Sequence, residues 1–251
     1  MPHLTRICTG ETNLDLTPKE LPMKRTPSRA LAITCAFLCL ASLATAQELS
    51  LEQLRLRADK GDVKAQVELG LRYFIGRGAR QDDDQAERWL QRAAAQDDLK
   101  AYVALGWFYI NASRPKTDRE RGVALYRVAA ERGDIEAMYN LAEQYNLGRG
   151  VPTNESHAEA AVRWFRKVAD FGDPQAMNEL AHLYEDGRGV RRDYIEAYKW
   201  WSIAVTRATP PDRQRYKQDR DFMAGDSMTP NQIGTARLLA REWLSAFAKR
   251  K

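Results

Sequence analysis

One pattern recurs four times along this chain, and it limits the possible folds more than any single residue does. Ala65, Ala101, Ala137 and Ala176 mark one slot, at spacings of 36, 36 and 39 residues. Leu69, Leu105, Leu141 and Leu180 follow four residues later, and Tyr73, Tyr109, Tyr145 and Tyr184 four after that. Trp89, Leu125, Trp164 and Trp200 fill a second large slot. A fixed period in this range marks a solenoid of two-helix units. Such a unit cannot bury its apolar face alone and needs stacked neighbours. The expectation is an all-α, right-handed superhelix of four helix pairs, and a binding scaffold rather than a catalyst.

Within a unit, the Ala, Leu and Tyr slots share one face of a first helix, because spacings of three and four residues align on a helix. A small residue follows the Leu: Gly70, Gly106, Ala142 and Ala181. A glycine inside a helix costs about 1 kcal/mol, so close helix packing must offset it. Gly76-Arg77-Gly78, Gly148-Arg149-Gly150 and Gly187-Arg188-Gly189 come next and read as C-terminal helix caps. A phosphate-cradling loop needs a preceding strand and a Lys-Ser/Thr tail, which these segments lack. The second helix is predicted to start near Asp82, Asp118 and Asp193, where an acid suits capping and the helix dipole. Its small slot is Ala86, Gly122, Ala161 and Ala197, and the Trp/Leu slot is expected to be buried. Gly133-Asp134 and Gly172-Asp173 turn into the next unit.

These slots together resemble the Sel-1-like repeat family, relatives of the tetratricopeptide repeats, over residues 58–206. The resemblance implies α-solenoids of antiparallel helix pairs that serve as protein-interaction adaptors, often in bacterial envelopes. Unit two departs from the pattern, with Ala112 and Arg114 at the loop-glycine positions and Pro115 beside them. Unit three carries three extra residues around Thr153-Asn154-Glu155. Family members credited with β-lactam binding or hydrolysis are disulfide-rich, and that activity does not carry over to a chain whose three cysteines all precede the repeats.

Those cysteines, Cys8, Cys35 and Cys39, lie in the leader. Residues 1–22 read as an upstream extension, with Met23 as the start. Residues 23–46 read as a signal peptide: Lys24-Arg25, then a 14-residue uncharged run from Ala30 to Leu43, then Ala44-Thr45-Ala46 before the cleavage point. The run is shorter than the ~18 residues a membrane span needs. Cleavage after Ala46 predicts a periplasmic or secreted protein with no transmembrane segment, no disulfide and no thiolate site. The chain carries +5 overall. Five basic and three acidic residues fall within 1–46, so the remainder is at +3, a mixed surface that excludes strong nucleic-acid binding. Residues 47–57 read as an N-terminal capping helix, with Ser50 to Gln53 as a capping box and Leu51, Leu54 and Ala58 covering the first repeat. Residues 207–251 read as C-terminal caps: a polar helix over 212–223, a turn at Gly225-Asp226-Ser227, and a last helix after Thr229-Pro230 whose apolar face runs from Ile233 to Phe247 and seals the Trp200-Trp201 edge.

Catalytic chemistry finds little support. His157, in a loop, and His182, on a repeat helix, have no metal-site spacing. Asp82-Asp83-Asp84 lacks the glycine and terminal Glu of a calcium loop. Ser113-Arg-Pro-Lys116 matches Ser-x-x-Lys without the companion elements that active-serine sites need. No catalytic residue, metal or cofactor is assigned. The expected function is a non-catalytic adaptor for a protein or peptide of the cell envelope. A cell-wall or β-lactam hydrolase, or a periplasmic regulator that sequesters a sensor domain, are the alternatives.

In helix-pair arrays of this kind the first helices line the concave side. The residues offset from the packing slots are then Val67, Leu71 and Phe74; Val103, Trp107 and Ile110; Tyr139, Glu143 and Asn146; Asn178, His182 and Glu185. This row grades from apolar to polar along the chain. It predicts a partner segment with an apolar stretch followed by Lys or Arg, anchored on Trp107.

Overall fold

The computed structural model describes residues 49–250, apart from 113–115 and 153–155. The leader, the Ser113-Arg-Pro motif and the three-residue insertion lie outside the described residues. Eleven helices follow one another: α1 (Leu51–Asp59), α2 (Val63–Ile75), α3 (Asp83–Ala94), α4 (Leu99–Asn111), α5 (Lys116–Glu131), α6 (Ile135–Leu147), α7 (His157–Asp170), α8 (Pro174–Asp186), α9 (Tyr194–Arg207), α10 (Pro210–Ser227) and α11 (Pro230–Ala248). Strands are absent among the described residues. The pairs α2/α3, α4/α5, α6/α7 and α8/α9 are the four units, and each second helix packs in turn on the first helix of the next.

The starts of the first helices repeat one device. Asp62, Asp98, Asp134 and Asp173 are N-caps whose carboxylates accept from the backbone N–H of Ala65, Ala101, Ala137 and Ala176. The Ala slot is therefore the third helical position, where an N-cap side chain finds its donor. The residue before each cap is left-handed, and in three units it is a glycine: Gly61, and Gly133 and Gly172 as expected. Unit two has Asp97 there, at φ 59°. Its carboxylate accepts from Tyr102 at 2.9 Å and from Arg132 at 2.6 Å, contacts that hold the unfavourable backbone in place. The loop glycines Gly76, Gly148 and Gly187 are the left-handed C-caps of α2, α6 and α8, as expected.

The second helices start where an acid was expected in two units. Asp82 and Asp193 cap α3 and α9. Asp118 instead lies inside the first turn of α5, which begins two residues earlier, and His157 is the first residue of α7 rather than a loop residue.

The large slot of the second helix needs correction. Trp89 and Trp200 are buried, but Leu125 and Trp164 are only half-buried. The fully enclosed side chains are one residue further on: Leu90, Tyr126, Phe165 and Trp201. These face the small slot of the first helix. A Cβ added at Gly70 meets Leu90 Cγ at 2.7 Å, and one added at Gly106 meets Tyr126 Cε1 at 2.8 Å. The small slot exists because this neighbour fills the space. At the ends, the terminal helices supply the extra cover. Trp89 joins Leu54 and Ala58 of α1 in one cluster, and Trp200 meets Trp243 of α11 edge-on at 5.9 Å.

A polar ladder fixes the stacking register. The Tyr slot of one unit takes hydrogen bonds from the second helix of the unit before. Gln91 donates to Tyr109 at 3.1 Å, Arg127 to Tyr145 at 2.8 Å, and Arg166 to Tyr184.

The ends are capped. Ser50 and Gln53 form the reciprocal capping box of α1, and Thr229 and Gln232 that of α11. Gly225-Asp226-Ser227 is not a turn: α10 continues through it to Ser227, and the chain breaks instead at Met228-Thr229 before Pro230. Ala236, Ala240 and Phe247 bury the inner face of α11, and Arg207 donates to the Gly172 carbonyl at 2.6 Å beneath Phe247.

Candidate functional site

The row on the first helices divides into two halves. In the first half, Val67, Leu71 and Phe74 on α2 are half-buried against the core of units one and two. Phe74 lies edge-on to both Trp107 and Phe108 of α4, with ring centroids 5.0 and 5.1 Å apart. Edge-to-face pairs of this kind contribute about 0.5–1.5 kcal/mol beyond burial. Trp107 and Ile110 are half-buried and pack on the large central cluster. Val103 is 5% exposed and is core, so it drops out of the presented row.

The second half is polar, and its lower layer is closed. Tyr139 on α6 and Asn178 on α8 are buried rather than presented. Tyr139 packs on Phe165 at 5.6 Å, and the Asn178 carbonyl accepts from the Trp201 indole at 2.9 Å. His182 lies edge-on to Trp201 at 4.9 Å and faces Glu185 at 3.3 Å. Glu143, Asn146, His182 and Glu185 remain half-buried.

The polar half also meets α10. This helix was expected only to cap the array, yet it reaches the row. Asp219 comes within 3.9 Å of His182, and Tyr216 is fully buried in the cluster that holds Tyr139. Tyr216 also feels the charge of Asp173, the N-cap of α8. Burial pushes the Tyr216 phenol up to about 12, and burial with the neighbouring Glu143 and Glu179 carboxylates raises Tyr139 well above the ordinary tyrosine range. Glu143 itself is pushed up to about 7, first by burial and then by the charge of Glu179. A nearby negative charge disfavours ionisation of a desolvated carboxyl.

Glu179 and Tyr216 escape the sequence reading. Glu179 sits one residue before the packing Leu180, a position the row's spacing skips. Tyr216 comes from a helix outside the repeat, where no period points to it. A separate depression lies in the loop before α9, lined by Val190, Arg192, Asp193, Tyr194 and Gln232 among others, and it shares no residue with the row. No helix among the described residues is long and apolar enough to cross a membrane.

Known proteins align with this architecture. A protective antigen of uropathogenic Escherichia coli with an SLR fold superposes with a TM-score of 0.69 at 28% identity, over 87% of this chain and 46% of that one. A Sel1 repeat protein of Oxalobacter formigenes gives 0.58 at 25% identity, over 80% and 78% of the two chains. In sequence, the secretory immunoglobulin A-binding protein EsiB of Escherichia coli is 46% identical over 54 residues, 22% of this chain and 11% of that protein. The ERAD-associated E3 ubiquitin-protein ligase component HRD3B of Arabidopsis thaliana is 30% identical over 107 residues, 42% of this chain and 17% of that protein. The alignments thus span less than a fifth of either of these two relatives. The Sel1 repeat matches four times, at residues 63–98, 99–134, 135–173 and 174–207, and with four helix pairs stacked in that register the chain belongs to the Sel1 repeat family.

Proposed function

We propose that this protein is a non-catalytic adaptor of the bacterial cell envelope, which binds a protein or peptide segment along the row of its first helices. Sel1 repeats generally mediate protein–protein interaction and are typically scaffolds rather than catalysts. One relative named above is an immunoglobulin-binding protein and another a ligase component. The observation that carries the reading is the half-buried apolar row of Leu71, Phe74, Trp107 and Ile110, in which Phe74 and Trp107 meet edge-on. Interfaces concentrate their energy in aromatic anchors of this kind.

The leader supports export. A charged start, a short apolar run and Ala44-Thr45-Ala46 follow in the order a signal peptidase requires. N-terminal sequencing of the mature protein is expected to begin at Gln47. A soluble cytoplasmic form starting at Met1 or Met23 refutes export.

Capture from envelope extract, followed by titration of the recovered partner, tests the adaptor. Trp107→Ala is expected to weaken binding at least tenfold with helicity retained at the assay temperature. Because Trp107 packs on Phe74 and on the core, its truncation also lowers the melting point somewhat. Phe171→Ala, at a side chain 56% exposed and off the row, serves as the control and leaves binding unchanged. Equal binding by Trp107→Ala and wild type removes the anchor from this patch.

A further inference from the structure

The depression before α9 lies apart from the row and holds about 690 Å³, a volume ordinary for a small-ligand site. Its loop folds as the counterpart in unit one does. Gly187 and Gly76 are left-handed caps, and the backbone N–H groups of Asp193 and Asp82 donate to the Tyr184 and Tyr73 carbonyls, each at 3.0 Å. Two features set the unit-four loop apart. Arg192 stands where unit one has Gln81, and α11, which lies outside the four repeats, brings Gln232 to the rim. The last repeat and the C-terminal cap therefore make this depression jointly.

Its polar groups divide into those already engaged and those left over. The Asp193 carboxylate accepts from the backbone N–H of Ile195 at 2.9 Å and of Glu196 at 3.0 Å. Glu196 holds the Lys199 ammonium at 2.6 Å, and the Tyr184 phenol accepts from the Arg166 guanidinium. Arg191 and Arg192, in contrast, make no hydrogen bond and no ion pair among the described residues. Gln232 adds another free donor. Its Oε1 accepts from the Thr229 N–H at 2.8 Å and from the Thr229 hydroxyl at 3.1 Å. That fixes the amide and leaves Nε2 without a partner among the described residues. The groups left over on the two sides of the depression are thus donors.

Charge and shape narrow what they receive. Arg191, Arg192 and Lys199 against Asp193 and Glu196 leave one net positive charge. A monoanion matches that balance, whereas a dianion stands against two carboxylates on the same rim. A planar guanidinium pairs with a carboxylate through two parallel hydrogen bonds. A carboxylate alone fills little of the volume. The rest of the wall is apolar or aromatic, from Val190, Tyr194 and Ile195, each half-buried.

We propose that this depression binds an amphipathic monocarboxylate, with its carboxylate on Arg191, Arg192 and Gln232 Nε2 and an aromatic or branched apolar body against Val190, Tyr194 and Ile195. The C-terminal residue of a polypeptide and a free organic acid share this chemistry. The site has no residue in common with the row, so the proposal goes beyond the adaptor reading and does not rest on it.

The test titrates the 15N-labelled full chain with N-acetylphenylalanine, its amide N-acetylphenylalaninamide, hydrocinnamate and inorganic phosphate, and reads backbone amide shifts. Shifts are expected to centre on residues 190–196 and Gln232. N-acetylphenylalanine is expected to bind at least tenfold more tightly than its amide. The double variant Arg191→Gln, Arg192→Gln weakens carboxylate binding at least tenfold; both side chains are exposed and unbonded, so the fold is retained. Gln232→Glu keeps the capping box, which takes Glu as it takes Gln, but replaces the donor by an acid. It too weakens binding at least tenfold, at an unchanged melting point. Arg80→Gln, at the matching loop position of unit one, has no effect. Tighter binding of N-acetylphenylalanine than of hydrocinnamate identifies a chain end as the source, and the reverse order a free acid; either order supports the proposal. Absence of carboxylate binding, equal affinity for acid and amide, unchanged binding in the double variant, or tighter binding of phosphate than of both carboxylates each overturns it.

Discussion

Replacing neighbouring aromatics on α7 separates the two possible registers of the second helix. Phe165 is completely enclosed and lies edge-on to Tyr139 at 5.6 Å. Phe165→Ala loses about 2–3 kcal/mol of apolar transfer and about 1 kcal/mol of ring pairing. A cavity term follows because helices from two units hold the walls apart, so the total falls in the 3–5 kcal/mol range for buried Phe truncations. Trp164, one residue earlier, is half-buried, and Lys167 lies over its ring at 4.1 Å from the centroid. Much of that ring stays hydrated in the folded protein, so Trp164→Ala is expected to cost about 1–2 kcal/mol despite the larger side chain. Urea unfolding followed by circular dichroism measures both, with the denaturant slope checked for constancy because repeat arrays can lose cooperativity. A larger loss for Trp164→Ala than for Phe165→Ala refutes the register and restores the Trp slot as the core position.

Three further outcomes follow from named contacts. Gly106→Ala places a Cβ 2.8 Å from Tyr126 and 3.0 Å from the Gly122 carbonyl, so overpacking of about 1–3 kcal/mol outweighs the helix-propensity gain of about 1 kcal/mol, and thermal unfolding shows a lower midpoint rather than a higher one. Trp201→Phe keeps an aromatic ring but removes the indole N–H and the buried five-membered ring, leaving the Asn178 carbonyl without its donor, at a cost of about 1–3 kcal/mol for the orphaned carbonyl with a packing loss added, measured by urea unfolding. The folded-state pKa of Glu143, raised to about 7 from 4.5, favours the protonated folded form. Its contribution to stability is therefore complete below about pH 4.5 and declines as pH rises towards 7. Glu143→Gln flattens that part of the stability profile measured by denaturation at successive pH values.

The repeat was legible because stacking forces the same packing problem on each unit. Ala65, Leu69 and Tyr73 and their equivalents meet the same neighbours every time, so selection for packing alone writes a period into the sequence. The glycine caps and the small slots follow for the same reason, since a left-handed C-cap or a close helix approach excludes most side chains wherever it recurs. The second large slot is harder to place, because a conspicuous residue type does not by itself mark burial. Tryptophan recurs at 89, 164 and 200, whereas the enclosed position holds Leu90, Tyr126, Phe165 and Trp201, four bulky side chains with no shared identity. The facing Gly70 and Gly106 carry the better signal, since a small slot implies a large side chain opposite.

The row was legible as a line of positions but not as a surface, and α10 is the reason. Inside the repeat, an offset of two residues from the packing Leu predicts presentation equally for Trp107, Glu143 and His182. Presentation also depends on what covers the line, and α10 lies beyond the last repeat with a polar sequence and no shared period. Its Asp219 comes up to His182 and its Tyr216 is buried in the central cluster, so this helix meets the polar half of a row whose apolar-to-polar grade is already written in the sequence. Glu143 stands at the boundary between the apolar and polar halves. Under the adaptor reading proposed above, an acid at a slot that holds Trp in the preceding unit changes what a bound segment meets. A partner long enough to bridge that boundary meets both chemistries. Deleting α10 by ending the chain after Arg207 also removes α11 and uncaps Trp200, so it cannot separate the two roles. Asp219→Ala disturbs the α10 contact at His182 while leaving the apolar patch untouched, and it isolates the contribution of the cover.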